Sequence, residues 1–173
     1  MIILNIHGYK GTSQNAAYSA LMIFEKNIVS PAIDYDAKSP LAILNELSDI
    51  CVNQNVDMIV GTSLGGLFAS SLAINLNKPL ILINPCFQPE IVLPPLGYAG
   101  DVNDFLPMEK LIQNINKISV KCIIGGQDEV IGSHDYTKKL LGLDNIEIVP
   151  NGYHSGATLN LEKYFEKIFN DQQ

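Results

Sequence analysis

The sequence predicts an α/β fold: a three-layer α/β/α domain built on a mostly parallel sheet of about six strands. The first observation is a set of six short runs rich in Ile, Val and Leu, which are typical of strands buried on both faces of a sheet. The second is that segments of helical length and periodicity alternate with these runs. Repeated strand–helix–strand units need crossover connections, which produce parallel pairing and helices on both faces of the sheet.

The elements follow one another in a regular order along the chain. The predicted strands are residues 2–6, 28–33, 56–60, 80–83, 120–124 and 146–149. The predicted helices are residues 13–26, 41–53, 64–76, 108–116, 134–141 and 158–169. The longest stretch without periodicity, residues 84–107, is rich in proline and predicts either a loop or a small cap over the site, or else an irregular connection.

Length and composition predict one soluble domain spanning residues 1–173. A chain of 173 residues is long enough to bury one core and too short for two comfortable ones. The net charge of −7 argues against nucleic acid or an anionic membrane as a partner. The first apolar run ends at Ile6 without a basic region before it, so a buried strand is expected there and not a signal peptide. A cytoplasmic location follows as an expectation.

The three cysteines, Cys51, Cys86 and Cys122, give no sign of a metal site or a disulfide framework. Their number is odd, and their spacings are too wide for the paired ligands of a zinc site. We therefore expect reduced thiols in or near the core. No metal or cofactor is expected for the chemistry described next.

A serine on a tight turn is the strongest functional signal. In doubly wound sheets the site lies beyond the carboxyl ends of the strands. The sequence Gly-Thr-Ser-Leu-Gly at residues 61–65 directly follows a predicted strand and directly precedes a predicted helix. It matches the G-x-S-x-G nucleophile elbow in that setting, so Ser63 is the predicted nucleophile. The alternative is a glycine-rich turn with an incidental serine.

A serine hydroxyl needs a base within hydrogen-bond reach and a group that orients this base. Of the three histidines, His154 follows the last strand and precedes the last helix, which is the chain order expected for the base in this fold. His7 precedes the nucleophile and fits a structural turn, and His134 comes too early in the chain. We predict His154 as the base.

Asp128 is the predicted acid because it comes just after the strand at residues 120–124 and should emerge at the same sheet edge as Ser63. Asp101 and Asp104 lie in the long loop, and Asp135 lies on a helix; we expect solvated surface charges at all three. Glu129 is adjacent to Asp128 but is expected to point elsewhere on the turn.

An oxyanion hole needs backbone N–H groups directed at the oxygen that becomes negative in the reaction. Leu64, the residue after the nucleophile, is predicted to give one donor at a helix N-terminus. Tyr9, in the loop after the first strand, is predicted to give the other. Gly8, the preceding residue, is the alternative donor. Another possibility is that His7 and Gly8 only shape that loop.

These residues resemble the α/β-hydrolases and, more narrowly, the small YqiA-like esterases of bacteria. The likeness rests on His-Gly-Tyr at residues 7–9, the elbow at residues 61–66, Asn-Pro at 84–85, Asp-Glu-Val at 128–130 and the late His154. These landmarks span nearly the whole chain in the expected order. The resemblance implies a reduced sheet of about six parallel strands and carboxylester hydrolysis through an acyl-enzyme.

The leading hypothesis is therefore a serine esterase acting on a small-molecule ester or thioester with a short, uncharged acyl group. Two alternatives stay open: a non-catalytic binding module that keeps the fold, and an acyltransferase that admits an acceptor alcohol in place of water. The sequence does not decide the oligomeric state.

Overall fold

The chain folds around a six-stranded, fully parallel sheet. The structure is a computed structural model and describes residues 1–170; the predicted domain also includes residues 171–173, which lie outside that range. The strand order is β2-β1-β3-β4-β5-β6. The strands are β1 (Ile3–Ile6), β2 (Ile28–Val29), β3 (Met58–Thr62), β4 (Leu80–Ile83), β5 (Val120–Gly125) and β6 (Ile146–Val149).

Seven helices cover both faces of the sheet within the described residues. They are α1 (Ala16–Leu21), α2 (Pro40–Asn53), α3 (Leu64–Leu76), α4 (Pro89–Val92), α5 (Leu106–Leu111), α6 (Asp135–Leu141) and α7 (Leu161–Asn170). Helices α1 and α7 pack on one face, and the other face carries α2, α3, α5 and α6. The predicted three-layer α/β/α architecture is confirmed.

The two cores follow from the period-two geometry of the central strands. In β1, Ile3 faces α1 and α7, whereas Leu4 and Ile6 face α2 and α3. All three side chains are fully buried, which explains why a central strand has apolar residues that face both sides of the sheet. Helix α3 packs so closely on the sheet that its residues from Leu64 to Ala73 are all buried.

The edge strands differ from the prediction. Burial on both faces is wrong for β2 and β6, whose residues are half-buried or exposed, because an edge strand has a neighbour on one side only. The predicted strand at 28–33 ends after Val29, since Pro31 has no N–H to give to a sheet. The Ser30 hydroxyl instead accepts from the Asn5 side chain of β1, at 2.9 Å.

The segment 84–107 is not an irregular loop. It contains α4 and two 3₁₀ turns, at Pro94–Leu96 and Val102–Phe105. Its Phe105 is buried and lies edge-on to Phe68 of α3, so the segment belongs to the core on that side of the sheet. Lys10 also links the loop after β1 to this segment, because its ammonium donates to the Leu96 carbonyl at 2.5 Å. A function as a lid stays a prediction.

The helices predicted at 41–53 and 64–76 are confirmed, whereas those predicted at 13–26 and 158–169 are shorter in the structure. Helix α1 begins only after Asn15, whose side-chain oxygen caps the Tyr18 amide at 2.9 Å, and it ends at Leu21. Before α7, Asn160 has a φ of 51°, which separates a 3₁₀ turn from the helix. No helix among residues 1–170 is long and apolar enough to cross a membrane.

Candidate active site

Ser63 lies on a strained turn between β3 and α3. Its φ of 54° and ψ of −123° are unusual for a residue with a side chain, and such a conformation costs on the order of 1–3 kcal/mol. The turn is held from both sides: the Ser63 amide donates to the Ile83 carbonyl at 3.0 Å, and the Ser63 carbonyl accepts from the Cys86 amide at 2.9 Å. The neighbouring strand and loop thus fix the backbone from which the hydroxyl reaches His154.

The two glycines that flank the turn are required by close approach of backbone. A Cβ at Gly65 would collide with the carbonyl oxygens of Ile6 and His7 at the end of β1. A Cβ at Gly61 would lie 2.6 Å from the Gly65 carbonyl oxygen. Helix α3 can therefore begin directly after the carboxyl end of β3, with Ser63 at its N-cap position.

His154 connects Ser63 to Asp128 through hydrogen bonds at both ring nitrogens. Its Nε2 lies 3.0 Å from the Ser63 Oγ, and its Nδ1 lies 2.9 Å from both carboxylate oxygens of Asp128. Because a carboxylate only accepts, the proton belongs on Nδ1, which leaves the Nε2 lone pair facing the serine hydroxyl. The structure thus brings together the three side chains that the sequence analysis singled out.

Asp128 is buried, with 4% of its surface exposed, and every side of its carboxylate is bonded. The amides of Val130 and Ile131 donate to Oδ1 at 3.0 and 2.9 Å. Burial alone would raise the pKa of the Asp128 carboxyl, but hydrogen bonds from His134, His154 and the Ile131 amide outweigh it and hold the pKa well below its usual value. The carboxylate is therefore ionised at neutral pH.

The loop that carries His154 is fastened by two residues whose role the sequence did not indicate. The Asn84 side-chain amide donates to the carbonyls of Tyr153 and His154, both at 2.9 Å, and its oxygen accepts from the Gly125 amide at 2.7 Å. The Glu129 carboxylate accepts from the His154 amide at 2.9 Å. Glu129 therefore points at the histidine's backbone, while Asp128 bonds the ring.

His134 is a second histidine bonded to Asp128. Its Nε2 lies 2.9 Å from Oδ2, the same oxygen that His154 contacts. The sequence analysis set His134 aside as a base, and in the structure its two ring nitrogens face Asp128 and Thr137, while the imidazole that contacts the serine is that of His154. Its spacing of six residues from Asp128 gave no recognisable motif.

His7 has both ring nitrogens engaged in the loop after β1. Its Nδ1 donates to the Gly8 carbonyl at 2.8 Å, and its Nε2 accepts from the Ile33 amide at 3.0 Å. Burial lowers the pKa of His7, although the bond to Gly8 opposes the shift. This arrangement agrees with the structural turn expected there.

Of the two residues predicted to give oxyanion donors, Leu64 adjoins the serine in sequence and Tyr9 lines the cleft beside it. Leu64 is the first residue of α3, directly after Ser63. Gly8, which precedes Tyr9, lies so close to the serine that a Cβ on it would be 2.7 Å from the Ser63 Cβ. The Tyr9 hydroxyl turns away to the Asp36 carboxylate, at 3.0 Å, so any contribution of Tyr9 to the hole comes from its backbone.

A cleft of about 220 Å³ opens beside Ser63 and His154. Six of its thirteen lining residues are small, namely Gly8, Gly11, Ala16, Ala17, Ser155 and Gly156. Asn15 and Thr62 add polar groups, and Lys10 lies at the rim. The cleft suits a group of few atoms next to the serine hydroxyl.

The competing acids lie outside this constellation. Asp101 caps a 3₁₀ turn through the Asn103 amide, and Asp135 is an exposed residue of α6 whose nearest basic partner is Lys138 at 3.5 Å. Asp104 is exposed in the same 3₁₀ turn. The three cysteines are all buried, and burial raises the pKa of the Cys86 thiol to about 12.

Comparison with solved structures shows the fold. A protein of Xanthomonas campestris pv. campestris assigned to the alpha/beta hydrolase superfamily is 16% identical, with a TM-score of 0.70 over 98% of this chain and 96% of the other. Est1E of Butyrivibrio proteoclasticus is 19% identical, with a TM-score of 0.64 over 99% and 87%. A carboxylesterase of the thaumarchaeon Nitrososphaera gargenis is 15% identical, with a TM-score of 0.61 over 98% and 88%.

No functionally curated protein matches the sequence. The model of the uncharacterised protein family UPF0227 matches residues 2–169, which is nearly the whole chain. The chain therefore belongs to the UPF0227 family, and its fold is that of the α/β-hydrolases.

Proposed function

We propose that the protein is a serine hydrolase that cleaves carboxylic esters, or thioesters, of short acyl groups through an acyl-enzyme. The observation that carries the proposal is the continuous hydrogen-bonded series from the Ser63 hydroxyl through His154 to the ionised Asp128. A strained serine, a neutral imidazole with its lone pair on that serine and a buried carboxylate behind it form the arrangement that activates a hydroxyl for acyl transfer.

In the first half of the reaction, the Ser63 Oγ attacks the ester carbonyl carbon while His154 Nε2 takes the hydroxyl proton. The resulting imidazolium is stabilised by Asp128, which keeps its negative charge. When the tetrahedral intermediate collapses, the C–O bond to the alcohol breaks and His154 returns the proton to the departing oxygen. The acyl group is then covalently held on Ser63.

In the second half, a water molecule replaces the alcohol. His154 accepts a proton from the water as its oxygen attacks the acyl carbon, and the Ser63 oxygen leaves with that proton. In both halves the carbonyl oxygen becomes negative. We assign its stabilisation to the backbone N–H groups of Leu64 and Tyr9; removing one such donor costs about 3–4 kcal/mol of transition-state stabilisation.

The small cleft supports a short acyl group. Its volume of about 220 Å³ and its glycine and alanine walls leave little space for a long alkyl chain next to Ser63. The acyl group would lie between the loop after β1 and the residues that follow His154. An uncharged group is favoured because, among the described residues, no carboxylate lines the cleft and Lys10 is the one lysine or arginine that does.

Hydrolysis of p-nitrophenyl esters from acetyl to decanoyl tests the proposal. We expect the highest kcat/KM with the shorter chains and loss of activity in Ser63→Ala. Ser155→Ala is the matched control, because Ser155 lines the same cleft without contacting His154 Nε2, and it should stay active. An inactive but folded wild-type protein would favour the non-catalytic binding module, and a maximum at decanoyl would refute the preference for short chains.

Added methanol or glycerol separates hydrolysis from acyl transfer. For a hydrolase, the acid remains the main product when either alcohol is present at moderate concentration. Dominant formation of the methyl or glyceryl ester would replace the hydrolase with an acyltransferase that uses the same acyl-enzyme.

A further inference from the structure

Asp128 serves two imidazoles at once. The Nε2 of His134 and the Nδ1 of His154 both lie 2.9 Å from its Oδ2. His134 is buried, with 5% of its surface exposed, and it is not among the residues that line the cleft beside Ser63. A buried histidine bonded to the orienting acid, but not to the nucleophile, has no part in the reaction as described so far.

The local fold explains how His134 reaches the carboxylate. After Asp128 the chain turns back on itself, and the Gly132 amide donates to the Asp128 carbonyl at 3.0 Å. Gly132 takes a φ of 77°, which a glycine adopts without strain. His134 then occupies the N-cap position of α6, and its Nδ1 lies 3.4 Å from the Thr137 hydroxyl.

The result is a carboxylate held from three directions. Backbone amides hold Oδ1, His134 holds Oδ2 from inside the protein, and His154 approaches both oxygens from the cleft. Because the ionised carboxylate only accepts, His134 must present an N–H at Nε2. This donor shares the negative charge that would otherwise be available to His154 alone.

We propose that His134 is a positioning residue, which fixes Asp128 for His154 and withdraws part of its charge, so that His154 remains the neutral base at lower pH than Asp128 alone would allow. The inference rests on the proposed function. A donor on Oδ2 stabilises the carboxylate, so the bond from Asp128 to a protonated His154 is weaker than it would be without His134. Loss of the donor therefore favours protonated His154.

The other ionisable groups near this cluster do not provide the same effect. The Cys86 thiol, which approaches from the segment after β4, stays neutral because burial raises its pKa to about 12. Glu129 bonds the His154 amide, and this bond lowers the pKa of its exposed carboxyl, so it remains a constant negative charge above acidic pH. On α6, the Asp135 side chain is exposed and directed to Lys138.

Two substitutions of His134 separate positioning from simple packing. His134→Leu removes the donor, whereas His134→Gln keeps a neutral N–H near the position of Nε2 and cannot take up a proton. Labelling by a fluorophosphonate probe measures the reactivity of Ser63 as a function of pH. We expect His134→Leu to label roughly fivefold to tenfold more slowly at the plateau, with the acidic limb moved up by about half to one pH unit. His134→Gln should restore both.

Ring NMR gives a readout that needs no activity. The chain has three histidines, so each ring signal can be assigned by single substitution. We expect the titration midpoint of the His154 ring to move to higher pH in His134→Leu and to return in His134→Gln. If wild-type protein is not labelled at all, the proposed function fails, while the NMR titration still tests the link between the two histidines.

Thr137→Val is the matched control, since it removes only the 3.4 Å contact behind His134 and should leave both readouts close to wild type. If His134→Leu does not fold, His134→Asn replaces it, because its shorter amide does not reach Oδ2. A folded donor-free variant with the wild-type pH profile and titration midpoint would overturn the proposal. So would a folded His134→Gln as impaired as the donor-free variant.

Discussion

Replacing Asp128 by asparagine changes one oxygen to an amide and should disable the base. The side-chain oxygen of the asparagine would stay on the amides of Val130 and Ile131, because these groups only donate. Its NH₂ would replace Oδ2, which accepts from His154 Nδ1 and His134 Nε2 in the wild-type protein. The remaining oxygen, also 2.9 Å from Nδ1, already accepts from the two backbone amides. To avoid two opposed donors, His154 must carry its proton on Nε2, directed at the Ser63 hydroxyl.

The size of the effect follows from this tautomer reversal. A His154 ring protonated on Nε2 cannot accept the serine proton, and the same reversal in a serine protease lowers kcat about 10⁴-fold. We expect a loss of roughly 10³- to 10⁴-fold here, which corresponds to about 4–5.5 kcal/mol of activation free energy. The Ser63 turn should stay intact, because the loops around β4 hold it independently of Asp128.

The assay measures kcat for p-nitrophenyl acetate at a pH on the plateau of the pH–rate profile. ¹⁵N NMR of the His154 ring then identifies the protonated nitrogen. Asp135→Asn is the matched control, because Asp135 is exposed on α6 and makes no bond to either histidine ring; its kcat should equal that of wild type. A folded Asp128→Asn protein with kcat within tenfold of wild type would refute this reasoning.

Three further predictions concern stability. Asn84→Ala removes a fully buried amide that bonds three backbone groups, so we expect it to lower the free energy of unfolding by about 2–4 kcal/mol in urea; a loss under 1 kcal/mol would contradict the role of Asn84. Gly65→Ala drives a Cβ into the Ile6 and His7 carbonyls and should cost at least about 2 kcal/mol, whereas unchanged stability would mean that α3 can shift. The depressed pKa of Asp128 contributes stability above the unfolded-state pKa of about 3.9, and this contribution is lost as pH falls through the lower folded value. The urea midpoint of wild type should therefore fall more steeply below pH 4 than that of Asp128→Asn, and parallel curves would argue against the shift.

The fold and the three central side chains were predictable because each follows a simple rule. Continuous apolar runs that alternate with helices leave parallel pairing as the natural solution, and the carboxyl ends of parallel strands meet at one edge. Ser63 follows β3 directly, Asp128 comes three residues after the end of β5, and His154 follows β6 after a short turn. The position of each residue relative to a strand therefore predicted the site, whereas the distances between the three residues in sequence contributed little to the prediction.

The supporting residues were not predictable, because their partners depend on the path of loops. Asn84 gains its role only when the loops after β5 and β6 come within reach of the end of β4. His134 reaches Asp128 only because the chain reverses at Gly132. Asn84 belongs to the Asn-Pro pair that contributes to the family resemblance, but that pair does not indicate which backbone groups its side chain binds, and the spacing of His134 indicates no partner.

The secondary-structure predictions erred where a local contact overrode the pattern. Pro31 ends β2 early, at the edge of the sheet. The proline-rich segment 84–107 lacks amphipathic periodicity because its helical turns are too short to show one, although Phe105 anchors it in the core. Proline is compatible with the first turn of a helix, as at Pro89 and Pro94.

The most direct test of the account is the mass of the protein after reaction with a fluorophosphonate, followed by peptide mapping. The account predicts the addition of one phosphonyl group per chain, located on Ser63, and a large loss of labelling rate in His154→Gln. Absence of an adduct on folded wild-type protein, or an adduct on a different serine that persists in Ser63→Ala, would contradict it.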